Sequence, residues 1–142
     1  MHKESLRITQ QYVNDTAYAI VGCAIEVHRE LGPGLLESVY ENCLVKELQS
    51  KGFEVKRQVT VPVLYKGEDA GAALKLDVLV EDLIIIELKA VESILPVHKA
   101  QLLSYMKLAG KPKGLLINFF SENITKSGLV PMVNELFNEL PK

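Results

Sequence analysis

The chain has 142 residues, of which 48% are hydrophobic and 24% charged, the make-up of roughly one globular domain with its own core. No stretch approaches the ~18 consecutive apolar residues a membrane helix needs, and the longest runs, such as Leu83 to Ile86, are of strand length. A net charge of −2 argues against a strong, sequence-indifferent nucleic-acid coat, which would draw on surplus Lys and Arg, but it is compatible with an acidic site balanced by a metal.

The N-terminal Met1 to Ser5 leads into a mixed polar segment, unlike the apolar run of a signal peptide. Cys23 and Cys43 lie in helix-like apolar patterns without a close Cys/His cluster, so they read as buried thiols of a cytoplasmic protein. There is no repeat, low-complexity tract or Pro/Gly/Ser linker, and residues 1–142 read as a single domain.

From about Gln10 to Leu31, Val13, Ala17, Ile20, Val21, Ala24, Val27 and Leu31 recur at helical spacing. Gly32-Pro33-Gly34 breaks that helix, and a second runs from about Leu36 to Lys51 with Val39, Tyr40, Cys43, Leu44 and Leu48 as its buried stripe. The period then changes to two: Phe53, Val55, Val59, Val61 and Val63 predict one long or bent strand ending at Tyr65. Lys66 to Gly71 reads as a turn, and Ala72–Val80 and Leu83–Ala90 as two strands around Glu81-Asp82. Pro96 suits the first turn of a helix reaching about Ala109, which Gly110 ends. Gly114–Phe119 is a short strand buried on both faces. From Ser127 the tail is ambiguous, because Pro131 fits an edge strand or the start of another helix. The order predicts an α/β fold, a mixed sheet with helices against both faces.

The chemistry-bearing stretch is Leu76-Asp77-Val78, then Ile86-Glu87-Leu88-Lys89. Strand alternation puts Glu87 and Lys89 on one face with Leu83 and Ile85, and Ile84, Ile86 and Leu88 on the other; Leu76 and Val78 face away from Asp77. If Glu81 to Leu83 close the hairpin, Val80 faces Ile84 and Asp77 lies across from Glu87; a two-residue turn without a bulge would put Glu87 on the wrong face. Two confined carboxylates repel, and one takes a proton unless a cation joins them. Mg²⁺ or Mn²⁺ suits them, with water and phosphate oxygens completing the shell, and it activates a bound water. A lysine two residues away can steady the attacking hydroxide or the charge developing on phosphorus. The competing reading is a structural ion pair, Asp77–Lys89 or Glu87–Lys89.

Asp77, a short hairpin and Glu87-Leu88-Lys89 resemble the PD-(D/E)xK nuclease signature, and Gly34-Leu35-Leu36-Glu37-Ser38-Val39-Tyr40 resembles the motif of one small family within it, the GxxExxY proteins. The same pattern recurs in Leu31 to Gly34, Asp77 to Ala90, Ala100-Gln101-Leu102-Leu103-Ser104-Tyr105 and Gly114 to Phe119, so that the resemblance spans about Ile8 to Val133. It implies a restriction-endonuclease-like three-layer α/β/α fold with a central mixed sheet. It also implies that Asp77 and Glu87 are metal ligands, Lys89 the catalytic lysine, Glu37 a helix-borne carboxylate beside the metal, and Gln101 a residue touching substrate or lysine. Tyr105, one turn further, and His98 share the Gln101 stripe and are assigned to substrate binding. The proline that often precedes the first acid is replaced by Lys75-Leu76, and Pro131 stands where a basic residue would be expected. For Glu37 the alternative is a carboxylate favoured by the helix dipole. Tyr105 as core and His98 as a solvated residue are the alternatives on the later helix, where Lys99 and Lys107 suit phosphate or solvent equally.

Two functions follow. One is a Mg²⁺- or Mn²⁺-dependent nuclease hydrolysing DNA or RNA phosphodiesters by metal-activated water. The other is a non-catalytic nucleic-acid-binding or regulatory module that keeps the nuclease fold. A third, a structural dimer, would require a large apolar face on the helix pair at residues 10–51. So small a surface for base readout is compatible with a homodimer in either of the first two cases.

Overall fold

The computed structural model describes residues 7–142, so the reading of Met1 to Ser5 lies outside the described residues. Helix α1 spans Gln10–Leu31, started by the Thr9 hydroxyl, which accepts the Tyr12 N–H at 3.0 Å, and stopped at Gly32 with φ 68°. Its apolar stripe is buried from Val13 to Val27 apart from half-buried Val21, and Leu31, expected in that stripe, is 36% exposed because it is the last residue before the glycine break. Helix α2 (Glu37–Ser50) buries Tyr40, Leu44, Val45 and Leu48. The Tyr40 hydroxyl accepts the Leu35 N–H at 3.1 Å and donates to the Gly32 carbonyl at 2.5 Å, and its ring stacks on Phe119 at 4.6 Å. One side chain thereby orders the loop between α1 and α2 and docks it on the sheet.

Five strands follow in spatial order β1 to β5: β1 (Val55–Tyr65), β2 (Glu68–Val80), β3 (Ile84–Lys89), β4 (Lys113–Asn118) and β5 (Leu129–Val133). Neighbours are antiparallel except β3 and β4, whose parallel pairing needs the long crossover that helix α3 (Pro96–Ala109) supplies. The turn expected over Lys66 to Gly71 contracts to two residues. Lys66 and Gly67 both take positive φ, 51° and 83°, the geometry whose twist matches a tight hairpin, so pairing resumes at once with Tyr65 opposite Glu68. The next hairpin closes through Glu81, Asp82 and Leu83, with Val80 opposite Ile84, the register a three-residue loop requires.

Helices cover both faces. Ile84, Ile86 and Leu88 pack with α1 and α2, whereas Ile85 packs with Leu102 and Met106 of α3. Gly114 lets α3 approach β4, since a Cβ there would fall 2.7 Å from the Met106 sulfur. The ambiguous tail contains both of its alternatives: Pro131 lies in the edge strand β5, and helix α4 (Glu135–Asn138) starts after Asn134, whose side chain accepts the Leu136 and Phe137 N–H groups. Neither cysteine is in a disulfide, and no helix among the described residues is long and apolar enough to cross a membrane.

Candidate active site

The β2–β3 ladder runs through Val80–Ile84, Leu79–Ile85 and Val78–Ile86, and one further step places Asp77 across from Glu87. There the carboxylates take over from the ladder. The Asp77 N–H donates to Glu87 Oε2 at 3.0 Å, and the Leu88 N–H donates to Asp77 Oδ2 at 3.0 Å. Glu87 is only 5% exposed, held between the apolar neighbours that keep β3 in the core.

Asp77 also marks a change of face. Val78 and Val80 pack on the α1/α2 side, but Leu76 packs on the α3 side with Leu79 and Ile85. The expectation that Leu76 and Val78 share a face is therefore corrected. Opposite Asp77, between the pairs Arg57–Val78 and Val59–Leu76, sits Gln58 with φ 50°. A residue in the left-handed region breaks two-residue alternation, so both strands of the ribbon turn over at this level.

Glu41 of α2 secures that break. Its Oε2 accepts from Arg57 Nε and Nη2 at 3.1 and 2.8 Å, its Oε1 accepts from Gln58 Nε2 at 2.8 Å, and Arg57 also bonds Asn42. Only 8% exposed, Glu41 is a functional candidate that sequence reasoning missed. The signal was there: Glu41 shares a helical stripe with buried Val45 and Leu48, where an unpaired carboxylate would not be tolerated.

Burial, then the nearby Asp77 charge, push the Glu87 carboxyl up to about 8, against the Asp77 N–H and the Lys89 charge. Burial also raises Asp77, the Leu88 N–H opposes it, and the charges of Glu41 and Glu37 push it further up. Without a cation, the pair therefore retains a proton well above ordinary carboxylate range. A hard divalent cation fits this donor set, because two carboxylate oxygens supply part of a shell whose other positions go to water and phosphate. Among the described residues, no third His, Cys, Asp or Glu joins them in a ligand cluster.

Lys89 ends β3, half-buried, and its ammonium forms no ion pair or hydrogen bond with a described residue. The structural pairs Asp77–Lys89 and Glu87–Lys89 are thus not formed. Glu37 is exposed at the start of α2 and reaches Asp77 through its field, without a bond. From α3, Gln101 Nε2 donates to the Tyr105 hydroxyl at 3.1 Å. Burial, Glu87 and Asp77 all raise the Tyr105 pKa, which puts this ring within electrostatic range of both acids. His98 has a different local task. Its Nδ1 accepts the Leu95 N–H at 3.0 Å, capping α3 where Leu95 has no polar side chain to offer. A cavity of about 770 Å³ between α3 and α4 contains none of these groups; it is lined by Leu103, Lys107, Leu136 and their neighbours.

The sequence model of the PD-(D/E)XK nuclease superfamily matches residues 14–129. No curated protein and no solved structure matches the chain. The five-stranded mixed sheet with helices on both faces is consistent with the restriction-endonuclease-like α/β fold of that superfamily.

Proposed function

This chain belongs to the PD-(D/E)XK nuclease superfamily, and we propose that it is a metal-dependent nuclease hydrolysing phosphodiester bonds of DNA or RNA. The observation that carries this reading is the face-to-face placement of half-buried Asp77 and buried Glu87, with Lys89, unpaired among the described residues, two positions along the same strand as Glu87. The GxxExxY family is the narrower assignment. It is supported by Gly34, Glu37 and Tyr40, whose spacing lets Tyr40 order the loop that leads Glu37 towards Asp77.

Nucleases of this superfamily generally use divalent metals, and Asp77 and Glu87 are the residues that would hold Mg²⁺ or Mn²⁺ here. Such an ion lowers the pKa of a bound water and polarises the phosphodiester. Lys89 stabilises the negative charge that builds on the phosphoryl oxygens, a task open to it because no described side chain forms an ion pair with it. Gln101 and Tyr105 orient the substrate from α3, and Glu37 adds an outer carboxylate on the α2 side. With Nδ1 of His98 taken by the Leu95 N–H, its Nε2 is the atom that would make a substrate contact at the start of α3. The same reading takes residues 1–142 as one nuclease-like domain. Free cysteines support a cytoplasmic setting, and the small surface supports a homodimer.

The test is calorimetric titration of Mg²⁺ and Mn²⁺ into the wild type, Asp77→Asn and Lys89→Ala, with cleavage assays on single- and double-stranded DNA and RNA. Metal binding lost in Asp77→Asn but kept in Lys89→Ala, with cleavage lost in both, is the expected result. Binding without cleavage in the wild type would make the chain a non-catalytic module. Absence of both would refute the metal site.

A further inference from the structure

The carboxyl ends of the parallel strands β3 and β4 open onto a cavity of about 600 Å³ that the catalytic reading leaves unused. Two of its apolar walls, Ile94 and Val130, belong to the α3-side core that includes Ile85, so it opens on the face carrying Glu87 and Lys89. Asn118, also in its lining, is the register partner of Lys89, and neighbouring strands lie ~4.8 Å apart. The cavity therefore begins one strand away from the lysine, at the strand ends where open α/β sheets place ligands.

One wall is braced by hydrogen bonds. Asn118 Oδ1 accepts the Val91 and Phe120 N–H groups at 3.1 and 3.2 Å, and its Nδ2 donates to the Val91 carbonyl at 2.8 Å. Gly128 presses against the same turn, since a Cβ there would fall 2.7 Å from the Asn118 carbonyl oxygen. On this fixed turn Phe119 is fully buried, while Phe120, which lines the cavity, is 41% exposed. Around it stand Ser93, the carboxylates of Glu92 and Glu122, and Lys99 from the first turn of α3.

We propose that this cavity is a nucleotide pocket taking one unpaired base next to the scissile phosphate, so that the substrate is single-stranded nucleic acid or a frayed duplex end. The proposal rests on the nuclease reading of Asp77, Glu87 and Lys89. The volume suits a small planar ligand. An exposed aromatic ring on a rigid turn is a stacking platform that accepts any base. Two carboxylates repel phosphate but accept hydrogen bonds from exocyclic amino groups, so the base enters and the backbone stays outside, beside Lys99. A base still paired and stacked in a duplex cannot present its face to Phe120. The net charge of −2 also leaves little non-specific attraction for duplex backbone.

The experiment uses the whole chain in EDTA, where no metal-dependent cleavage occurs, with a single-stranded oligonucleotide carrying 2-aminopurine and the blunt duplex of the same sequence. The single strand should bind at least about tenfold tighter than the duplex, with quenched 2-aminopurine emission. Phe120→Ala should weaken single-strand binding by roughly 5- to 150-fold and restore emission, whereas Phe120→Tyr keeps both. Lys99→Glu should also weaken binding, and it decides the matter if Phe120→Ala does not fold; Lys46→Glu, on α2, should change nothing. Equal binding by wild type and Phe120→Ala, or a preference for duplex, overturns the pocket. If Mg²⁺ still binds in that case, the nuclease reading stands without the pocket; if stacking is found but Mg²⁺ never binds, the pocket stands without the nuclease.

Discussion

Asp77 and Glu87 each hold an amide from the other's neighbourhood: the Asp77 N–H bonds Glu87 Oε2, and the Leu88 N–H bonds Asp77 Oδ2, both at 3.0 Å. This crossed pair fixes both carboxyl groups without neutralising either. It also explains why two acids persist in an apolar sheet: each accepts one backbone N–H, although neither has an ion-pair partner among the described side chains. The site is stable enough to form and electrostatically incomplete, which is the condition for binding a cation.

Glu87→Gln removes one of two confined charges. In EDTA at pH 8.5 its melting temperature should equal or exceed that of the wild type, because the neutral amide carries no ionisation penalty. Saturating Mg²⁺ should stabilise the wild type by about 2.7 kcal/mol at 100 times Kd and leave Glu87→Gln unmoved. Scanning calorimetry with and without Mg²⁺ reads both effects; a Mg²⁺ response retained in the variant would remove Glu87 from the ligand set.

Metal-free stability should depend on pH through the same residue. Glu87 ordinarily titrates near 4.5 and in the fold near 8, so between these values the folded chain keeps a proton that the unfolded chain has released. Stability is then highest below about pH 4.5 as far as this group is concerned, falls as pH rises to about 8, and levels off above. Urea unfolding in EDTA across that range should show the decline in wild type and a flatter profile in Glu87→Gln.

Arg57→Ala leaves the buried Glu41 with one donor, Gln58, in place of three bonds. Because Arg57 is itself 41% exposed, the cost should be about 1–3 kcal/mol, set by the stranded carboxylate more than by the ion pair. Mg²⁺ affinity should fall as well, since the released β1 kink faces Asp77. Urea unfolding paired with metal titration checks this, and a stability loss with unchanged Mg²⁺ affinity would confine Glu41 to a structural role.

Gly114→Ala tests how closely α3 is seated. The added methyl meets Met106 and Leu102 side chains at 2.7 and 3.0 Å, so α3 must shift or repack, at about 1–3 kcal/mol. Chemical denaturation measures the loss, and the wild-type value in the variant would show that Met106 swings away freely.

Tyr40→Phe keeps the ring stack on Phe119 but deprives the Leu35 N–H and the Gly32 carbonyl of their shared partner. A loss of about 1–3 kcal/mol is expected, with faster amide exchange at Leu35 than in wild type.

Local signals were enough for much of this protein. The three-four spacing from Val13 to Val27 with its glycine stop defines α1, and Pro96 and Gly110 bracket α3, because helix periodicity and its terminators are properties of neighbouring residues. Strand parity reduced the pairing of Asp77 with Glu87 to a choice between a three-residue loop and a two-residue turn, and the structure takes the three-residue loop Glu81 to Leu83. What only the tertiary structure decided are relations between residues far apart in the chain. Glu41 meets Arg57 and Gln58 because α2 crosses the β1 kink, and the same kink sends Leu76 and Val78 to opposite faces. Lys89 forms no ion pair with a described residue although two acids stand nearby, and His98 turns to cap its own helix. Such outcomes depend on how burial, backbone strain and competing donors are shared in three dimensions, which spacing along one chain does not encode.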